Sequence, residues 1–189
     1  MIAVTLLPGP EGGSPVTVWT LEMRDPAALR PSRDLARPPL LMHAMRPAPE
    51  LSRFFYTVVG GPWLWVDRLG WDDARWRGWV DRPEHELWTA WLDGVPAGYF
   101  ELEQQDGGDV ELAYFGLVPG MAGQGLGGWL LTEALRRAWE RPGSTRVWVH
   151  TCSLDGPAAL PNYEARGLVR CAEAIEWRAL PQPAARPAG

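Results

Sequence analysis

Lysine is absent from the 189 residues, so all 18 basic side chains are arginines, set against 23 carboxylates for a net charge of −5. That balance excludes nucleic acid as a default partner, because a phosphate backbone attracts basic surfaces. Cysteine is scarce: Cys152 and Cys171 are too few for a disulfide scaffold, which implies reduced thiols and a soluble cytoplasmic protein. No apolar run approaches the ~20 residues of a membrane span, and the N-terminus lacks the charged region, apolar core and cleavage site of a secretion signal. No internal repeat is present. Abundant proline and arginine without lysine suggest a GC-rich bacterial genome and bear on nothing functional. What the chain does have is 46% hydrophobic composition, enough for one domain with a full core, and 12 tryptophans.

The residues most informative about chemistry run from Asp109 to Trp139. Val110 to Val118 is too apolar for a strand with one wet face and belongs in the middle of a sheet. Pro119-Gly120 stops it, and Gly123, Gly125, Gly127 and Gly128 follow. Apolar residues at 126, 129, 130, 131, 134, 135, 138 and 139 then repeat at helical spacing until Pro142-Gly143. The first turn of such a helix leaves N–H groups unpaired and carries the positive end of the dipole. Glycines let an anion approach the backbone, so this turn is a phosphate cradle, or else merely a flexible helix entry. Gly123, Gly125 and Gly128 satisfy G-x-G-x-x-G, but only one further strand, Arg146 to His150, follows in a clear crossover, with no acidic residue at its end for a ribose. The context therefore disfavours a dehydrogenase. No Lys-Ser or Lys-Thr follows, which argues against a nucleotide P-loop.

Around this centre, Met1 to Leu7 and Val16 to Met23 read as a hairpin across the breaker-rich residues 8–15. Arg24 to Pro39 reads as a loop with at most a helical turn, and Leu40 to Arg46 as a strand. Helices are expected at Pro49 to Val59 and Asp72 to Val80, the second capped by Asp72. Leu87 to Leu92 and Pro96 to Glu103 form a hairpin about Asp93-Gly94. After Arg146 to His150 come a helix, Pro157 to Arg166, and a closing strand or hairpin, Leu168 to Trp177. Pro181 to Gly189 has the composition of a disordered tail.

The run Val118-Pro119-Gly120-Met121-Ala122-Gly123-Gln124-Gly125-Leu126-Gly127 resembles the acetyl-coenzyme A motif of the GNAT superfamily of N-acetyltransferases. Asp155 to Leu168, with its Tyr163-Glu164-Ala165-Arg166-Gly167-Leu168 end, resembles that family's later helix. The resemblance covers residues 40 to 178. It implies an α/β (α+β) fold: a mixed, mostly antiparallel sheet flanked by helices, here with an extra N-terminal hairpin. The expected organisation is 1–39 extension, 40–180 acetyltransferase domain and 181–189 tail, a homodimer being allowed. It implies acetyl-coenzyme A and no metal, and places the cofactor on Leu117, Val118, Ala122, Gly123, Gln124, Gly125, Leu126, Gly127 and Gly128. Ala122 and Gly156 depart from the family's usual Arg or Gln and Asn; the first loses a side-chain contact to the pyrophosphate but keeps the backbone amides.

Acetyl transfer to an amine needs a base, donors for the developing oxyanion and a proton for the thiolate. The resemblance puts Glu111 forward as base, the alternative being a carboxylate at the strand's wet end. It gives Leu117 a backbone role at a β-bulge where the strands splay, and makes Tyr163 the general acid, against a plain core tyrosine. His150 and Cys152 read as packing residues before a nucleophile pair, and with Cys171 they lack the spacing of a zinc site. His43 and His85 read as ordinary surface or strand residues. Phe55, Tyr56, Trp63 and Trp65 crowd the early helices, where the family covers its acceptor; with Asp67, Asp72 and Asp73 nearby they suit an apolar or cationic primary amine of a small molecule. Trp76 and Trp79 read as core. The rival function is a non-catalytic acyl-coenzyme A binder or sensor.

Overall fold

The computed structural model describes residues 4–6 and 13–180. Eight strands form one sheet in the order β1-β8-β2-β7-β6-β5-β4-β3. These are β1 (Val4–Leu6), β2 (Ser14–Met23), β3 (Leu40–His43), β4 (His85–Leu92), β5 (Val95–Gln104), β6 (Asp109–Leu117), β7 (Arg146–Cys152) and β8 (Val169–Arg178). Only β1–β8 and β6–β7 are parallel. Helices α1 (Pro49–Gly60) and α2 (Asp73–Val80) lie in the segment between β3 and β4, whereas α3 (Leu126–Glu140) and α4 (Ala159–Ala165) flank β7 in sequence.

Local chemistry places most elements where the sequence expects them. Asp93 and Gly94 both adopt positive φ (51° and 84°), the requirement of a two-residue hairpin turn between β4 and β5. Asp72 caps α2 by accepting from the Arg75 N–H at 2.8 Å. Helix α3 packs Leu130, Leu131, Ala134, Leu135 and Ala138 against Val110, Leu112, Val147 and Val149 of the central strands. Its outer face is laced by Arg136–Glu133 and Arg137–Glu140 pairs. On the other side α1 packs Phe55 and Val59 against Leu87 and Tyr99.

The N-terminal hairpin does not form. Strand β8 lies between β1 and β2, so β1 pairs with β8 and β2 is inserted between β7 and β8. The reason lies in β2 itself, whose Val16, Val18, Leu21 and Met23 are all buried. A strand with that much apolar surface belongs inside the sheet with both edges paired, not in a marginal two-stranded ribbon. The closing segment is the single strand β8, and the tail beyond residue 180 lies outside the described residues.

Residues 24–39 must then travel from β2, in one half of the sheet, to β3 at the far edge. They contain one short turn, Pro26–Ala28, and cross the face that holds α3 and α4. The Arg30 N–H donates to the Arg166 carbonyl at the end of α4 (3.0 Å), the Ser32 N–H to Thr132 Oγ1 on α3 (3.0 Å), and Arg37 reaches Asp93 in the β4–β5 turn (2.6 Å).

Candidate active site

Strands β6 and β7 pair over only three positions, ending at Glu111 opposite Trp148. Beyond that point β6 runs on to Leu117 and β7 to Cys152 without further pairing to each other. The cause is a bulge. The register with β5 jumps from Leu102↔Leu112 to Glu101↔Tyr114, leaving Ala113 as the extra residue and twisting β6 away from β7. The family resemblance implies a bulge at the splay, and the structure puts it at Ala113, four residues before Leu117. The Val118 N–H bonds the Ala97 carbonyl at 2.9 Å. Because antiparallel bonding alternates, the Leu117 N–H and C=O then face the opposite way, into the gap.

The gap opens toward the glycine turn. Gly123 and Gly125 hold φ of 85° and 78°, a conformation open to glycine and strained for other residues. Gly125 is the N-cap of α3 and no side chain caps the helix, so the first-turn N–H groups lack a side-chain acceptor. Ala122, Gly123, Gln124 and Gly125 are exposed, while Leu126 is buried and anchors the turn. Gly127 and Gly128 serve a different purpose. Both are inside the helix, Gly127 close to Leu117 and Asn162, and Gly128 under Arg166 and Ser32, where a Cβ would fall 2.6 Å from the arginine. They permit close packing of α3 against β6, α4 and the crossing segment. Leu35 of that segment sits 3.2 Å from where a Gly125 Cβ would be, so the supposed extension borders the cradle. Nothing in its proline-rich sequence indicates where it docks.

Glu111 is buried and fully engaged: Oε1 faces His150 Nδ1 at 3.1 Å and Oε2 accepts from Gln105 Nε2 at 2.9 Å. Gln105 in turn accepts from Trp148 Nε1 at 3.1 Å. The carboxylate sits at the apex of the splay, not at a wet end. Its hydrogen bond, outweighing burial, raises the His150 pKa above the usual imidazole value. Tyr163 of α4 is buried beside Phe115 of β6, ring centroids 5.9 Å apart. Burial, with the nearby Asp155 charge, pushes its phenol well up, so it keeps its proton at neutral pH. Cys152 is also pushed up, by burial and then by Asp155, which disfavours a thiolate nucleophile. Both cysteines are free thiols, and among the described residues no three His, Cys, Asp or Glu side chains converge on a metal site.

The aromatic residues divide. Phe55 is fully buried, stacked on Tyr99, and Tyr56 is 1% exposed with its hydroxyl donating to Asp67 at 2.8 Å. Neither lines a cleft; they fill the space between α1 and the sheet, which helical spacing alone could not distinguish from a wall. Trp76 is core, as expected, and Trp79 is partly buried. Trp63 and Trp65 instead reach across to the β7–α4 loop. Trp65 Nε1 donates to Asp155 Oδ1 at 3.2 Å, and Trp63 lies on Gly156. Asp155 also accepts from Thr151 Oγ1 (2.7 Å) and the Cys152 N–H (2.9 Å), closing the end of β7. The Asp155-Gly156 turn pair is the only sequence signal for this bridge. Asp72 and Asp73 are occupied elsewhere, as a helix cap and as the partner of Arg53.

Gly156 therefore has a local reason to be glycine: a Cβ would sit 3.0 Å from Trp63 Cζ2. Gly156→Asn is expected to lift Trp63 off the loop at a stability loss of about 1–2 kcal/mol. In 5-fluorotryptophan-labelled protein the Trp63 fluorine signal, assigned with Trp63→Phe, should move toward its solvent-exposed value; an unmoved signal would refute the packing argument.

Behind this wall lies a charged cluster of a kind rarely buried. Glu101 of β5 is 1% exposed and accepts from Ser52 Oγ of α1 at 2.5 Å and from Trp79 Nε1 of α2 at 2.7 Å. His85 Nε2 lies 3.3 Å and Arg68 Nη1 3.8 Å from it. Arg68 is enclosed by Trp71, Trp79 and Tyr114, with its guanidinium carbon 3.7–4.5 Å from the three ring centroids. His85, expected as a surface or strand residue, is a strand residue inside this cluster.

A model of the acetyltransferase (GNAT) family matches residues 48–168, well over half of the chain. The chain belongs to the GNAT acetyltransferase family. No curated protein matches it in sequence. Among solved structures, it is similar to a GCN5-related N-acetyltransferase from Kribbella flavida at 21% identity and TM-score 0.60, over 84% of this chain and 56% of that one. A GCN5-related N-acetyltransferase from Sphaerobacter thermophilus shares 19% identity at TM-score 0.56, over 86% and 51%. An aminoglycoside acetyltransferase from an uncultured soil metagenomic sample shares 14% at TM-score 0.56, over 67% and 86%. At these identities the likeness is one of fold. This GNAT chain spans little more than half the length of the first two structures.

Proposed function

We propose that this GNAT protein moves the acetyl group of acetyl-coenzyme A to a primary amine of a small molecule by direct attack within a ternary complex. The observation that supports it is the coincidence, at one end of the sheet, of an uncapped helix N-terminus and a splayed strand pair with its polar apex at Glu111. The residues present fit the donor. Exposed amides at Ala122 to Gly125 and the start of α3 suit its diphosphate, and the backbone edge at Leu117, which faces the gap, suits its amide-bearing arm, with Val118 holding that edge to β5. Acetyl-coenzyme A supplies an activated thioester. The chain supplies the Leu117 N–H toward the carbonyl oxygen, the Tyr163 phenol as proton donor to sulfur, and a proton acceptor at the Glu111 end. Trp63, Trp65 and Tyr114 offer an aromatic wall for an apolar or cationic acceptor.

The test is release of free thiol from acetyl-coenzyme A across a panel of primary amines. Tyr163→Phe should lower turnover at least about tenfold while leaving cofactor affinity within about twofold. Unchanged turnover removes Tyr163 from the mechanism. Cofactor binding without turnover on any amine would favour the acyl-coenzyme A sensor instead.

A further inference from the structure

Resting on that transferase reading, we propose that His150 Nε2 takes the proton from the acceptor's ammonium group, with Glu111 as the positioning residue that fixes the imidazole. Glu111 is the last β6 residue paired with β7, opposite Trp148, and His150 is two positions further along β7, where that pairing has ended. Both side chains leave the sheet on the face opposite α3, since the alternate residues Val110, Leu112, Val147 and Val149 are packed into the α3 core.

The hydrogen bonds decide the tautomer. A carboxylate only accepts, and Glu111 Oε2 already receives Gln105 Nε2. The 3.1 Å contact at Oε1 therefore requires the proton on His150 Nδ1, which leaves the Nε2 lone pair free. The His150 side chain is 50% exposed whereas that of Glu111 is 11% exposed, so the imidazole is the member of the pair that an acceptor in the cleft can meet. Three charged groups bear on the ring: Glu111 of β6 and Asp155 after β7 favour its protonated form, and Arg178 of β8 opposes it. On β2 its pairing partner Thr20 is uncharged, and Glu22 is occupied by Arg24 and Arg146.

The step balances. One ammonium proton passes to His150 Nε2, and the freed nitrogen lone pair forms the C–N bond to the acetyl carbon. The C–S bond breaks with its electron pair going to sulfur. The second nitrogen proton replaces the one that sulfur takes from Tyr163, by way of solvent. His150, half exposed, returns its own proton to water.

Two measurements test the pair. In 15N-labelled protein the imidazoles of His43, His85 and His150 are assignable by single substitutions to glutamine. His150 should show the Nδ1–H tautomer and a pKa above 6.5 that falls in Glu111→Gln. The Nε2–H tautomer, or a pKa indifferent to Glu111→Gln, overturns the proposal. With tyramine as probe amine, His150→Gln should lower kcat at least about a hundredfold and remove the acidic limb of the rate profile, with acetyl-coenzyme A affinity retained. Glu111→Gln should keep that limb but move it to lower pH. An acidic limb that survives in His150→Gln overturns the base assignment. If the wild-type protein turns over neither tyramine nor any other amine, the transferase reading fails and the base assignment with it; the imidazole titration then still shows whether the Glu111–His150 pair forms.

Discussion

Gly123→Val will weaken acetyl-coenzyme A binding at least about tenfold, and Gly143→Val will leave it unchanged. Both glycines sit at positive φ, 85° and 75°, and a Cβ at either would meet nothing within 4 Å. The two substitutions therefore carry the same penalty, about 1–2 kcal/mol of backbone strain for an L-residue in the left-handed region, with no steric clash to confuse them. They differ only in place. Gly143 follows the C-terminus of α3, whereas Gly123 shapes the turn to which the proposed function assigns the diphosphate. If valine at 123 moves the backbone even slightly, N–H groups aimed at an anion are misdirected, and tenfold in affinity is only about 1.4 kcal/mol. Calorimetric titration with acetyl-coenzyme A, beside urea unfolding of both variants, makes the comparison. Equal loss of affinity in both variants, or in neither, would remove the cradle from the account.

The largest stability effect is expected at Glu101. Glu101→Ala should destabilise the fold by about 3–5 kcal/mol, because the Arg68 guanidinium remains buried without its counter-charge. Glu101→Gln keeps the shape and one acceptor for Ser52 or Trp79, so its loss should be smaller but still measurable. A fall of less than about 1 kcal/mol for alanine in urea unfolding would mean that the cluster is neutral as a whole. The pH dependence follows from the direction of the shift. Burial by itself would raise the Glu101 pKa, but His85, Ser52 and Arg68 together hold it below the usual carboxyl value of 4.5. A depressed folded pKa gives a stability contribution that is complete above 4.5 and is lost as pH falls through the folded value. Glu101→Gln should therefore flatten the acid limb of the wild-type stability curve. The consequence for function is rigidity: Ser52 of α1, Trp79 of α2 and His85 of β4 all converge on this one carboxylate. That fixes the segment from which Trp63 and Trp65 reach over the splay.

How much of this could be read along the chain depends on the range over which each feature is decided. The β4–β5 turn follows from Asp93-Gly94, the start of α2 from Asp72, and the buried central strand and its following helix from unbroken and 3.6-residue apolar patterns. Each rests on residues within one turn or one strand. The insertion of β2 was illegible because register between distant strands depends on which edges remain unpaired after all the others have closed. Phe55 and Tyr56 could be placed on α1 but not on its inner side, and Glu101 hid in plain view as a lone carboxylate between Phe100 and Leu102 in a strand buried on both faces.

By itself, then, the order of residues determined the two local ingredients of the site: a glycine turn that feeds an uncapped helix, and a strand with Glu111 near its start. Tertiary structure alone decided that β6 and β7 part after Glu111, that His150 meets that carboxylate, and that residues 24–39 cross beside the cradle. The division is physical. Turns, caps and periodicity are fixed by dihedral preferences and neighbours a few residues apart, whereas a splay, a carboxylate–imidazole contact 39 residues apart in sequence and a crossing segment exist only once long-range packing has chosen one arrangement of the sheet.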